Sequence, residues 1–283
     1  MCADYVLDSA DECGRLERQA VLDGLERYLP HLPKRSRARV LDAGSGSGAM
    51  ARLMASCHPE WDVVGVDFNP AYVAYARDRG RLANLSFEQG DLRALNFTAA
   101  SFDVIWSRFV LYFLPNPEDA IREFRRILRP GGEVVVALHN FPNMIDHPED
   151  ADLRNRRTQA FSSILDGYLP QKLPSMLTKC GFRDVSVEIE LDRIYSAIGS
   201  IGAEGRRNYA EVLQAGMESI SQSLGSQAEA ERLIADLFVY LDRPDTYTYS
   251  LLWRIKCRAP SAAAAVANDP SKAPDFQSKT APS

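Results

Sequence analysis

The hydrophobic pattern of this chain changes period repeatedly, and each change predicts an element. Residues 10 to 29 put Val21, Leu22, Leu25, Tyr28 and Leu29 on one helical face, and Pro30 and Pro33 end that helix. Val40 and Leu41 then run into Asp42 as a strand, and Ala49 to His58 returns to helical spacing through Met50, Leu53, Met54 and Cys57. Trp61 to Asp67 is a second apolar strand. Asn69 and Pro70 are a cap followed by a proline at the first helical position, and the helix they open runs to about Gly80. Leu85 to Gln89 predicts a third strand, and Phe102 to Trp106 a fourth that is apolar throughout and so suited to burial on both faces. Asn116 and Pro117 open a helix that buries Ala120, Ile121, Phe124, Ile127 and Leu128, and Pro130, Gly131 and Gly132 turn the chain into a fifth strand, Glu133 to Leu138.

Beyond Asn140 the pattern loosens. Residues 140 to 170 are polar with two helical stretches, and Pro174 to Cys180 is a helix that stops at Gly181. Val185 to Leu191 alternates as a sixth strand, and the seventh, Thr246 to Ile255, comes only after the inserted residues 192–245. That insertion is helical around Asn208 to Leu224 and Ala228 to Leu241. Long insertions in compact domains are usually functional, so this one is read as an acceptor-binding cap or lid, with an oligomer contact such as a homodimer interface as the competing use. The organisation expected is one domain over residues 1–259, with an N-terminal helix at 10–30 and the cap at 192–245. Residues 260–283 lose all periodicity in a run of Ala, Pro, Ser and Lys and are expected to be disordered.

The first strand and helix are joined by Val40 to Gly48, VLDAGSGSG, with glycines at 44, 46 and 48. Glycines tolerate positive φ and leave no Cβ between backbone and ligand, so such a turn can press its amides and a helix N-terminus against a polar cofactor. Gly44, Gly46 and Ala49 also satisfy the dinucleotide fingerprint, so the loop alone leaves the cofactor open. Asp67, about 20 residues on, is placed to accept hydrogen bonds from both ribose hydroxyls in either case.

Composition narrows the field. The chain has 283 residues, enough for a large core, and its 46% hydrophobic and 25% charged content is that of an ordinary globular protein. A formal net charge of -5 argues against a polyphosphate partner. The basic group Lys34, Arg35, Arg37 and Arg39 is read as a solvated loop. The five cysteines show neither metal-ligand spacing nor a disulfide framework, and Cys57 and Cys180 are expected to be core thiols. With no signal-like N-terminus and no apolar run long enough to span a bilayer, a cytoplasmic location is expected.

The ordered set of segments VLDAGSGSG, VVGVDFNP, FEQGDLRAL, FDVIWSRFVLYFL and RRILRPGGEVVVAL resembles the successive motifs of the class I S-adenosylmethionine-dependent methyltransferases, in the small-molecule methyltransferase type 11 or UbiE-like group. The resemblance is strong over residues 38 to 140. It implies an α/β, doubly wound, Rossmann-like fold with a seven-stranded, mostly parallel sheet. It also implies that S-adenosylmethionine is the cofactor and S-adenosylhomocysteine the product. Carried onto this chain, it assigns the glycine turn to Asp42, Gly44, Ser45, Gly46 and Gly48, the ribose to Asp67 with Phe68, and the adenine to Asp91 with Leu92. Ser107, just past the fourth strand, is assigned to the cofactor as well. Arg15 and Gln19 fit an R-L-x-x-Q pattern that can reach the methionine carboxylate from the N-terminal helix.

The expected chemistry is in-line displacement on an already activated methyl group, in which holding donor and acceptor aligned and dry supplies most of the catalysis. His139, ending the fifth strand, is the candidate general base should the acceptor have to lose a proton, and Arg108, Tyr112 and Asn140 are the candidate substrate contacts. The acceptor is expected to be a small molecule, such as a secondary metabolite, methylated on O, N or C. Two other readings stand beside this one. A protein or RNA methyltransferase is disfavoured by Ser107-Arg108-Phe109-Val110, where the adenine and exocyclic-amine methylases often carry N/D-P-P-Y/F. A non-catalytic binding protein could keep the same motifs.

Overall fold

A computed structural model describes residues 11–140, 143–162 and 164–261. The expected disordered tail lies outside the described residues from 262 onward. Strands β1 (Ala38–Ala43), β2 (Trp61–Asp67), β3 (Leu85–Gln89), β4 (Phe102–Arg108), β5 (Leu128–His139), β7 (Arg183–Leu191) and β10 (Leu251–Arg258) form one sheet. Their order is β3-β2-β1-β4-β5-β10-β7. The first five are parallel, and β10 runs antiparallel to both β5 and β7. The order reverses between β1 and β4, and in open α/β sheets the crevice at such a reversal is where ligands collect.

Alternation along each strand splits the core between the two faces. Val40, Val63, Val104 and Trp106 join Tyr28, Met50 and Met54 on one face. Leu41, Val64, Ile105 and Val136 face the other, against α4 (Pro117–Ile127) and α6 (Leu169–Lys179). Local signals set the helix starts. The Asn69 side chain accepts from the Ala71 amide at 2.9 Å to cap α3 (Pro70–Arg79), and Gly48, left-handed at φ 79°, admits the chain to α2 (Ala49–Cys57).

Several boundaries differ from the sequence pattern. The N-terminal helix α1 (Glu12–Asp23) stops at left-handed Gly24 and continues as a 3-10 turn, Leu25–His31, so that Val21, expected on the buried face, is exposed. Cys57 is exposed too, being the last residue of α2, while among the described residues Cys257 is the buried thiol. β5 starts at Leu128, before the Pro-Gly-Gly turn, and α6 starts at Leu169 with Pro170 in its first turn. The last strand pattern is broken at Ser250 into β9 (Tyr247–Tyr249) and β10.

The cap is larger than the inserted segment. Residues 192–245 supply β8 (Ala197–Ile198), α7 (Gly202–Ala215), α8 (Met217–Leu224) and α9 (Gln227–Leu241). The stretch after β5 adds β6 (Ile145–His147) and α5 (Ala151–Ser162), and β6, β9 and β8 close a second, three-stranded sheet. Buried Arg157 of α5 bonds Asp146 at 2.6 Å, and Asp146 accepts from Thr248 of β9 at 3.1 Å. Gln159 and Ser223 exchange side-chain to backbone bonds of 2.9 and 2.8 Å, joining α5 to α8. Leu213, Leu233 and Leu237 of the cap belong to the same apolar cluster as Leu41 and Ile105 of the sheet.

Candidate active site

A cavity of about 230 Å³ opens at the carboxyl ends of β1, β2, β4 and β5, under the cap. Its lining divides into a polar end built on the glycine turn and an apolar end built on β4, β5 and the cap.

At the polar end, Gly44, Gly46 and Gly48 all take positive φ, 78°, 52° and 79°. The Gly44 and Ser45 amides donate to the Val66 carbonyl at 2.8 and 2.9 Å, tying the turn to β2. Asp67 ties it a second time: one carboxylate oxygen accepts from the Gly46 amide at 2.8 Å and the other from the Asn69 amide at 3.0 Å. Burial raises the Asp67 pKa, and these amide bonds pull it back down without prevailing. Asp42 is buried with Oδ2 lacking a hydrogen-bond partner among the described residues, and burial pushes its pKa up to about 7 against the pull of Arg108. Asp91 is gripped by Arg93 at 2.7 to 3.2 Å, which holds its carboxyl below the ordinary value. From α1, the Arg15 guanidinium bonds Glu12 at 2.8 and 2.5 Å and Gln19 at 3.0 Å.

At the apolar end, Phe109 is held at φ 57°, an uncommon conformation for a residue with a Cβ, which turns its ring to 4.5 Å from that of His139. Tyr195 and Tyr112 close on the same imidazole at 5.0 and 5.5 Å between centroids, and the Tyr112 hydroxyl lies 3.2 Å from His139 Nε2. Phe113, Phe161, Leu165 and Val212 complete the wall. His139 is buried, and its pKa falls to about 3 because desolvation, then the charges of Arg108 and Arg15, disfavour the imidazolium. A ring so held is neutral, and its burial opposes the positive charge that it would take on as a general base. Arg108 is paired with buried Asp23, donating from Nε at 2.9 Å with Nη2 in ion contact at 2.8 Å, and Asp23 also accepts from Tyr28 at 2.7 Å and Arg27 at 3.1 Å.

The structure therefore brings Arg15, Gln19, Asp42, Gly44, Ser45, Gly46, Asp67, Phe68, Asp91, Leu92, Arg108, Tyr112 and His139 to one cavity. It leaves three expected residues off its wall. A Cβ on Gly48 would meet Phe87 at 2.6 Å and Ala76 at 2.9 Å, so this glycine serves close packing of α2 on the sheet. Ser107 is fully buried within β4 and is not among the residues that line the cavity. Asn140 spends its amide on structure: Oδ1 accepts from Ser250 at 3.1 Å and from the Leu251 amide at 2.7 Å, and Nδ2 donates to the Asn143 carbonyl at 3.2 Å. Asp23, Phe161 and Tyr195 were missed by the sequence reading, since nothing near them in the chain marks them as facing β4 and β5.

Comparison with known proteins places this geometry. Residues 41–136 match the family model described as a methyltransferase domain. The chain is 33% identical over 179 residues to the malonyl-[acyl-carrier protein] O-methyltransferase of Enterobacter lignolyticus (strain SCF1), covering 54% of this chain and 69% of that protein. The chain belongs to the class I S-adenosylmethionine-dependent methyltransferases. The malonyl-[acyl-carrier protein] O-methyltransferase of Laribacter hongkongensis (strain HLHK9) is 36% identical over 143 residues, or 47% of this chain and 48% of that one. The chain spans about half the length of the first curated relatives it matches. A solved structure described as the [4+2]-cyclase SpnF superposes with a TM-score of 0.57 at 20% identity, over 86% of this chain and 82% of that one, which shows the shared fold.

Proposed function

We propose that this protein transfers the methyl group of S-adenosylmethionine to a small-molecule acceptor. The observation that carries the reading is the meeting, in one cavity, of the glycine turn, the Asp67 carboxylate and an apolar wall contributed by the cap. When bound, S-adenosylmethionine supplies an activated methyl group and leaves as S-adenosylhomocysteine. The residues present suit it. Asp67 keeps a lone pair on each oxygen for ribose hydroxyls after accepting two amides, Asp91 and Leu92 border the adenine end, and the unpartnered oxygen of Asp42 offers an acceptor inside the cavity. Arg15 and Gln19 reach the same space from α1. The protein's own contribution is to align and to exclude water, because the neutral His139 removes protons poorly and the wall around it is aromatic.

The acceptor is read as a small molecule of the secondary-metabolite kind, handled by a cytoplasmic enzyme without nucleic acid. Among the described residues no helix is long and apolar enough to cross a membrane, and no group of three or more metal-ligating side chains could hold an ion. The inserted segment is read as an acceptor cap because it supplies Tyr195 and Val212 to the cavity, and a homodimer contact is the lesser reading of its outer face. Calorimetric titration with S-adenosylhomocysteine and with NAD, followed by incubation with methyl-labelled S-adenosylmethionine and a metabolite extract, tests the proposal. Saturable binding of the first nucleoside only, with label appearing in an organic product, is the expected result. Binding of NAD in its place would overturn it.

A further inference from the structure

The acceptor end of the cavity combines flat walls with an unusual charge arrangement. Phe109, Tyr112 and Tyr195 surround His139, with Phe113 and Phe161 beyond them, so a planar ring is the shape this space favours. Two cations line the cavity, Arg108 and, toward the donor end, Arg15, each backed by a carboxylate buried more deeply than itself. The Arg108 side chain is 15% exposed and its partner Asp23 1%, and for Arg15 and Glu12 the values are 5% and 0%. Each pair is neutral as a whole but turns its positive end to the cavity. Burial first, and then the charge of Arg108 and more weakly of Arg15, disfavour a cation on the neighbouring imidazole.

That field sorts acceptors by charge. An ammonium acceptor would meet the same repulsion as the His139 imidazolium. A carboxylate acceptor needs a guanidinium fork to replace the water it loses, but Arg15 is already bidentate on Glu12, and Arg108 turns its Nε–Nη2 edge on Asp23 with one hydrogen bond from Nε. An aromatic hydroxyl compound meets neither obstacle, since its ring pays for burial through the apolar walls and its oxygen charge spreads into the ring. Resting on the methyl-transfer reading, we propose that the acceptor is an aromatic hydroxyl compound taken up as its phenolate against the positive end of the Arg108–Asp23 pair, with the Tyr112 hydroxyl beside His139 as the polar contact for its oxygen.

The step balances without a strong base. The hydroxyl proton goes to solvent on binding. The phenolate oxygen then forms its bond to the methyl carbon while the carbon–sulfur bond breaks, and the electron pair of that bond stays on sulfur. A cation and an anion become two neutral products, so no proton moves during transfer.

The test uses the full chain and three probes that share one ring system: 2-naphthol, 2-naphthylmethylamine and 2-naphthoate. Each is titrated with and without saturating S-adenosylhomocysteine, and then offered with S-adenosylmethionine. The expected result is that 2-naphthol binds at least tenfold more tightly than the other two and alone releases S-adenosylhomocysteine. Preference for the amine or the carboxylate, or no binding of 2-naphthol by a folded chain, overturns the inference. Preferred binding of 2-naphthol without turnover supports the acceptor class and counts against the methyl-transfer reading, which keeps the two failures apart. The ionisation step is read separately from the visible absorbance of bound 4-nitrophenol, whose midpoint should lie below its value in buffer. The double variant Asp23→Asn with Arg108→Gln, which strands neither charge, should move that midpoint back upward. A midpoint at or above the buffer value in the native protein would overturn the phenolate assignment.

Discussion

Asp67 does two things with one carboxylate. Its oxygens each hold a backbone amide, from Gly46 and from Asn69, and the same oxygens border the cavity. Asp67→Ala should weaken S-adenosylhomocysteine binding by about 1.5 to 3 kcal/mol, the loss expected for charge-assisted hydrogen bonds. Calorimetry on the folded variant measures this, and an unchanged affinity would remove the ribose role. A second aspartate carries a prediction about stability alone. Asp192 is buried off the cavity, donating nothing and accepting from the Ile194 amide at 2.8 Å, with Oδ2 lacking a hydrogen-bond partner among the described residues. Burial raises its pKa from 3.8 to about 7. A carboxyl whose pKa is raised by folding lends its full stability below the unfolded value and loses it as pH climbs through the folded one. Asp192→Asn abolishes that titration and keeps an oxygen for Ile194. The variant should match the native protein near pH 4 and exceed it increasingly toward pH 8, by on the order of 1 to 4 kcal/mol. Denaturant titrations across that range decide it, and parallel stability curves would mean Asp192 ionises in the fold as freely as in the unfolded chain.

At the scale of elements, the strand, glycine turn and helix from β1 to α2 were legible in the sequence because every determinant is local. Three glycines, an apolar lead-in and a helical period lie within a few residues, and the structure gives all three glycines positive φ. What the sequence could not tell was which glycine does what, because that depends on a neighbour from β3. A Cβ at Gly48 would strike Phe87 and Ala76, whereas one at Gly46 meets only the tip of Leu16, at 3.1 Å. Gly48→Ala should therefore cost fold stability, about 2 to 4 kcal/mol from strain and overpacking, seen as a lowered Tm without any ligand. Gly46→Val should abolish S-adenosylhomocysteine binding in a chain that still folds, its Tm lowered only by the positive φ that valine resists and not by a clash with the sheet. Equal effects of both on Tm would erase this distinction. Elsewhere the unread features all depend on distant partners. The face of α1 was misjudged at Val21 because Gly24 breaks the helix and Asp23 turns inward to Arg108, 85 residues away. Asn140 was taken for a substrate contact, but β10, joined to it 111 residues later, consumes its amide oxygen.

On the scale of the molecule, the cap raises the question of whether it is an accessory or a part of the core. Its helices were visible in the sequence as an insertion at 192–245, yet the fold builds the cap from two segments that the primary pattern keeps apart, and joins them through the Gln159–Ser223 bonds and through β9, which pairs with both β6 and β8. The apolar cluster runs without a break from Leu41 and Ile105 through Phe161 to Leu213, Leu233 and Leu237. α1 ties the cap to the sheet layer through ion pairs on both sides, with Arg18 on Glu211 of α7 at 2.9 Å and Glu17 on Arg52 of α2 at 2.5 Å. A cap joined in this way should not melt by itself. Leu233→Ala, at a fully buried position of α9 far along the chain from any residue of the glycine turn, should destabilise the whole protein by about 2 to 5 kcal/mol. Because cap and sheet share one core, the loss should appear at the same denaturant midpoint by far-ultraviolet circular dichroism, which follows the helices, and by fluorescence, which is weighted toward Trp61 and Trp106 in the sheet. Two separated midpoints, with the helical signal moving alone, would make the cap an independent unit. In that event acceptor binding could be lost while the donor end of the cavity stayed intact, and the cap would have to be treated as a mobile lid instead of a wall.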